Sequence, residues 1–104
     1  MKTLNKNIII STIIAEKQNI KKFGINEIGL FGSFAKDKQT SKSDIDILVS
    51  FDSDKETFDN FINLCFLFDK LFKGKKVEVV TKNSLSPYIS SRILKDIKYV
   101  QITD

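Results

Sequence analysis

At 104 residues, with 41% apolar and 29% charged side chains, the chain has room for one hydrophobic core and no separate substrate-binding domain, so whatever it acts on is small or is presented by a partner. No apolar run approaches the roughly 20 residues of a membrane span. Glu16 and Lys17 interrupt the isoleucine-rich start with no small-residue cleavage site behind them, so neither an anchor nor a signal peptide is expected, and a cytoplasmic location follows.

A net charge of +4 suits an anionic ligand such as a nucleotide, although the lysines are scattered and only Lys73, Lys75 and Lys76 form a compact run. No aromatic interleaves that run, as a nucleic-acid stacking platform would require, so a nucleic-acid partner is not expected. The absence of histidine removes imidazole metal sites and Ser-His or Cys-His catalysis. The one cysteine, Cys65, sits among Phe61, Ile62 and Phe66 as a small apolar residue.

In chain order, Asn5 to Lys22 predicts a helix, with Ile9, Ile10, Ile13 and Ile14 at near-helical spacing and Gly24 ending it. Glu27 to Phe31 is a short buried strand that runs into a tight turn at Gly32-Ser33, with a brief helix from Ser33 to Lys38 to follow. Gln39 to Ser43 is a polar loop. Asp44 to Phe51 alternates as a strand, with Ile45, Ile47, Val49 and Phe51 on one face and Asp44, Asp46, Leu48 and Ser50 on the other. Ser43-Asp44 also reads as a helix cap, but the β-branched residues that follow favour the strand.

Lys55 to Phe72 predicts a long helix with two apolar stripes. One contains Phe58, Phe61, Ile62, Cys65 and Phe72, and the other Leu64, Leu67, Phe68 and Leu71. A single small domain does not easily bury both, so a partner or a second copy is expected over one of them. Lys75 to Thr81 alternates again, placing Val77, Val79 and Thr81 opposite Lys76, Glu78 and Val80. Ser86-Pro87 resembles an N-cap and first-turn proline opening a helix through Ile97, and Tyr99 to Ile102 is a closing strand. The whole, residues 1–104, reads as one mixed α/β (α+β) domain with a small sheet flanked by helices.

Side chains two apart on a strand share a face, so Asp44 and Asp46 converge on one small volume. Such close carboxylates repel unless a cation lies between them, and hard oxygen donors favour Mg²⁺ or Mn²⁺. If the later strand is a neighbour, Glu78 joins them, and three carboxylates can hold the two metals of phosphoryl-transfer chemistry. Gly32 lets a backbone approach phosphate, and Ser33 offers a hydroxyl beside amides that attract anions. Asp-x-Asp alone is usually a solvated strand end, and Gly-Ser alone is usually a turn; their joint placement is what points to chemistry.

With those residues in view, Gly32-Ser33-Phe34-Ala35 and Ser43-Asp44-Ile45-Asp46-Ile47-Leu48-Val49 resemble the signature of the minimal nucleotidyltransferases of the DNA polymerase β superfamily. The resemblance spans nearly the whole chain. It implies that Gly32, Ser33, Lys36 and Ser43 serve nucleotide binding, that Asp44 and Asp46 ligate both metals, and that Glu78 ligates the one activating the acceptor hydroxyl. This chain differs from the family pattern in having Glu78 for the common aspartate, Phe34 for a frequent arginine, and Lys36-Asp37 for an Arg-Gly pair.

Small members of the family resemble the antitoxin half of toxin–antitoxin pairs whose partner is a HEPN-domain ribonuclease. That resemblance implies transfer of AMP from ATP to a tyrosine of the toxin. Two other readings stand beside it. One is an interaction module that neutralises its partner by occlusion, and the other is an antibiotic-type nucleotidyltransferase, which would need substrate-binding structure this chain lacks.

Overall fold

The computed structural model of the chain describes residues 3–102. Helix α1 (Lys6–Ala15) opens on Asn5, whose side chain accepts the Ile8 amide at 2.9 Å, satisfying one orphan donor of the first turn. The single predicted helix is in fact two, α1 and α2 (Lys17–Lys22), separated at Glu16. There the chain tightens, the Glu16 amide donating to Ile13 O at 3.0 Å. Ile9, Ile13 and Ile20 remain in phase across the break and are all buried; eleven residues from Ile9 to Ile20 are close to three helical turns, so apolar spacing carries no sign of it. Gly24, at φ +86, closes α2 in the left-handed conformation, as expected of a helix-ending glycine.

Four strands follow: β1 (Ile25–Phe31), β2 (Ile45–Phe51), β3 (Val77–Thr81) and β4 (Lys98–Val100). They form one sheet in the order β3-β2-β1-β4. β1 is antiparallel to both β2 and β4, while β2 and β3 are parallel, joined through helix α3 (Phe58–Leu71). The expected mixed sheet flanked by helices is therefore present. Thr57 caps α3 by accepting the Asn60 amide, and Ser86 caps helix α4 (Pro87–Asp96) with proline in its first turn.

The core lies on one side of the sheet. Ile28 and Leu30 of β1, Ile45, Ile47 and Val49 of β2 and Val100 of β4 pack there against Ile9, Ile13 and Ile20 from the N-terminal helices and Leu64, Phe68 and Phe72 from the α3 region. Helix α4 lies on the other face and buries none of its own residues fully. Gly29 leaves room for the residue that follows the helix, since a Cβ there would meet Ile97 Cδ1 at 2.6 Å. Leu48, expected beside Asp44 and Asp46, does lie on this second face, yet it is buried, which makes that face apolar at its middle and acidic at one end.

In α3 the two expected stripes are divided differently. Leu64 and Phe68 are buried, with Phe61, Leu67 and Leu71 packed partly against them, while Phe58 is 76% and Phe66 65% exposed. Phe72 joins the core because it lies past the helix end, with φ −119 and ψ 50, and so leaves the helical phase that grouped it with Phe58. Leu64→Ala is expected to cost about 2–5 kcal/mol in urea denaturation, and Phe66→Ala less than about 0.5 kcal/mol. Similar losses from the two would contradict this partition.

Candidate active site

Alternation along β2 turns Asp46 away from the core, and the neighbouring strands determine what it meets. The parallel register pairs Asp46 with Glu78 of β3, and the antiparallel register pairs it with Phe31 of β1. Glu78 thus shares the acidic face, the condition the sequence left open. Asp44 stands just before β2, two residues from Asp46. The three charges act on one another: the Asp46 carboxyl is pushed from 3.8 up to about 6, first by burial, then by the charges of Glu78 and Asp44.

Gly32 follows β1 directly and lies against this carboxylate. Its φ is +78, and a Cβ built on it would fall on Asp46 Oδ2. Both the left-handed backbone and the contact require glycine. The brief helix expected from Ser33 to Lys38 is instead a series of turns, closed by Lys36 N–H to Gly32 O at 3.3 Å and Lys38 N–H to Ser33 O at 2.9 Å. Asp37 breaks the helical path with φ 58, a left-handed conformation that a continuing helix cannot accommodate. Its carboxylate is held by Lys6 at 3.1 Å. Among the described residues, the amides of Ser33, Phe34 and Ala35 donate to no carbonyl.

The loop before β2 is pinned from beneath. Lys75 donates to Ser41 O at 3.0 Å and Ser43 O at 2.8 Å, and its ammonium lies 5.7 Å from the centre of the Phe34 ring. Phe34 is a buried core residue. The Ser43 hydroxyl accepts the Thr40 amide at 2.8 Å, so this predicted nucleotide ligand also shapes the loop that delivers Asp44. The compact lysine run therefore separates: Lys75 anchors the loop, and Lys76 lies 3.3 Å from Glu78 Oε1.

Asp44, Asp46 and Glu78 occupy one edge of one face, but among the described residues no three acidic side chains are gathered closely enough to enclose an ion. Glu78 is turned to Lys76 instead. The donors themselves are carboxylate oxygens, the type that hard divalent cations take, and Asp46, raised by burial and then by Glu78 and Asp44, is the one that positive charge among them would relieve most. Cys65 is half-buried, and its thiol is pushed up by burial and by Asp69, away from nucleophilic character.

Sequence reasoning missed Arg92. From α4 it lines a cleft of about 270 Å³ together with Phe31, Gly32, Lys36 and Asp96. Lys36, predicted to bind nucleotide, reaches across this cleft to Asp96 Oδ2 at 3.6 Å. The available signal was that Arg92 is the only arginine of the chain, but its placement beside Gly32 depends on α4 folding back over the sheet.

Comparison with known proteins bears on this arrangement. A family model for the nucleotidyltransferase domain matches residues 10–100. A relative from Methanocaldococcus jannaschii, named provisionally as a protein adenylyltransferase, is 38% identical over 104 residues, spanning 96% of this chain and 100% of that one. The protein adenylyltransferase MntA of Thermococcus cleftensis is 35% identical over 101 residues, spanning 96% of this chain and 100% of its own. A crystal structure of a mutant MntA–HpeT toxin–antitoxin complex contains a chain that superposes with a TM-score of 0.67 at 25% identity, over 97% of this chain and 76% of that one.

Two outcomes are expected from this geometry. Gly32→Ala combines left-handed strain of about 1–2 kcal/mol with displacement of Asp46, so its melting temperature falls; an unchanged melt would contradict the contact. Because Asp46 is raised in the fold, its ionisation removes stability as pH climbs from 3.8 through about 6. Asp46→Asn is therefore more stable than the parent above pH ~6, and the gain closes as pH falls to about 4. Denaturant melts across that range check the sign, and a gain independent of pH would contradict it.

Proposed function

We infer the function from one premise: the chain belongs to the nucleotidyltransferase domain family. We propose that it transfers AMP from ATP onto a tyrosine hydroxyl of a HEPN-type toxin and acts as its antitoxin. Support for the transferred group comes from relatives named protein adenylyltransferases, aligned over their full length. Support for the setting comes from the toxin–antitoxin complex whose chain shares this fold. The observation that carries the chemistry is the β2–β3 register, which sets Asp46 beside Glu78 with Gly32 against the Asp46 carboxylate.

In this reading Asp44, Asp46 and Glu78 would hold Mg²⁺ or Mn²⁺, for which Glu78 would have to leave its ion pair with Lys76. When bound, such ions lower the pKa of an attacking hydroxyl and neutralise phosphate charge. The chain's own groups position the reactants. Gly32 lets the backbone approach the phosphates, the amides of Ser33, Phe34 and Ala35 and the Ser33 hydroxyl supply donors, and Lys36 supplies charge. The acceptor oxygen forms a bond to the α-phosphorus, the bond to the bridging oxygen of the β-phosphate breaks, pyrophosphate leaves with the electron pair, and the hydroxyl proton passes to solvent.

A second reading is favoured by the Lys76–Glu78 ion pair and by exposed Phe58 and Phe66: a domain that occludes its partner without transfer. Labelled ATP, Mg²⁺ and the protein encoded beside this chain separate the two. The expected result is label on the partner, reduced about 10²–10³-fold when Asp44→Asn is combined with Asp46→Asn, since each 1.36 kcal/mol of lost transition-state stabilisation is tenfold in rate. Equal labelling by parent and double variant would refute the mechanism. Tight partner binding with no label would favour occlusion.

A further inference from the structure

The turn after β1 and helix α4 face each other across the cleft that contains Gly32, Lys36, Arg92 and Asp96. A second cleft of about 490 Å³ shares the Lys36 and Asp96 walls and adds Lys38, Lys95 and Lys98. Lysines that look scattered along the chain are thus gathered by the fold, five basic side chains around the one acid Asp96, which engages Lys36. Arg92 is exposed, and like Lys38, Lys95 and Lys98 its side chain has no ion-pair or hydrogen-bond partner among the described residues; it differs from those lysines in being a guanidinium and in lining the cleft that contains Gly32.

Gly32 separates two regions of opposite charge. On one side the space a Cβ would fill is taken by the Asp46 carboxylate, on which Glu78 and Asp44 also act; on the other it lines the cleft that holds Arg92 and Lys36. A ligand lying across Gly32 must carry its anionic tail toward Arg92 and its reacting end toward the carboxylates. A guanidinium matches a polyphosphate chain better than an ammonium does, because its planar fork reaches two oxygens at once. Packing does not explain the residue, since no residue of α4 is fully buried.

We propose that Arg92 binds the β- and γ-phosphates of the nucleoside triphosphate, the portion that departs as pyrophosphate, and that Lys38, Lys95 and Lys98 line the way it leaves. The assignment rests on the nucleotidyl-transfer reading above and adds to it a substrate-binding residue from α4. It also gives Asp96 a meaning: of the two cations that line the cleft with Gly32, it engages Lys36 and leaves Arg92 unpaired.

Calorimetry with Mg²⁺ and three probes, ATP, inorganic tripolyphosphate and AMP, tests the assignment. Arg92→Ala is expected to weaken ATP and tripolyphosphate about tenfold or more while leaving AMP binding unchanged, as loss of a charge-assisted contact predicts. Arg92→Lys should recover part of the loss, and the apparent KM for ATP should rise more than kcat falls. Arg92→Gln, which keeps the aliphatic stem, serves if the alanine variant melts early. Parental affinity for ATP in these variants, or an equal loss for AMP, would overturn the assignment while leaving nucleotidyl transfer intact. A parent protein that binds none of the probes and labels no partner would overturn both.

Discussion

The parallel pairing of β2 with β3 is the constraint from which the site follows. It puts Asp46 and Glu78 side by side at the edge of a sheet whose opposite face is filled by isoleucine, leucine and phenylalanine. The two carboxylates cannot separate without breaking the register, and a one-residue slip of β3 would send Val77 and Val79 away from the core. Apolar burial on one face therefore maintains electrostatic repulsion on the other. The Asp46 carboxyl is raised first by its own burial and then by that repulsion, and in the proposed reading a divalent cation among the carboxylates would relieve it.

The surrounding structure serves the same arrangement. Gly32 allows the backbone to pass against Asp46 where any side chain would collide with it. Lys75, reaching from the far side of α3, fixes two carbonyls of the loop that delivers Asp44. Helix α4 closes the second face without being buried, so its polar side chains remain available to a ligand. Stability is concentrated under the sheet and chemistry above it, a division consistent with substrate-binding elements being drawn from the less tightly packed part of a fold.

Much of this could be read from residue order. The alternation of Ile45, Ile47 and Val49 against Asp44 and Asp46 assigned the faces of β2, and the same alternation in Val77 to Thr81 assigned those of β3. Adjacency of the two strands could not be read, because strand order is decided by how α3 packs. Nor could the break at Glu16, across which the apolar phase continues, or the turns after Gly32, where Asp37 takes a left-handed conformation that side chains rarely adopt. The basic cleft was hidden for another reason: Lys36 and Lys38 meet Arg92, Lys95 and Lys98 only after α4 returns over the sheet.

Anomalous scattering from Mn²⁺ in crystals grown with a nonhydrolysable ATP analogue tests the central claim most directly. The account predicts manganese about 2.0–2.3 Å from carboxylate oxygens of Asp44 and Asp46, with the triphosphate running past Gly32-Ser33. Manganese bound elsewhere, or nucleotide bound away from Gly32 with these carboxylates still free, would contradict it.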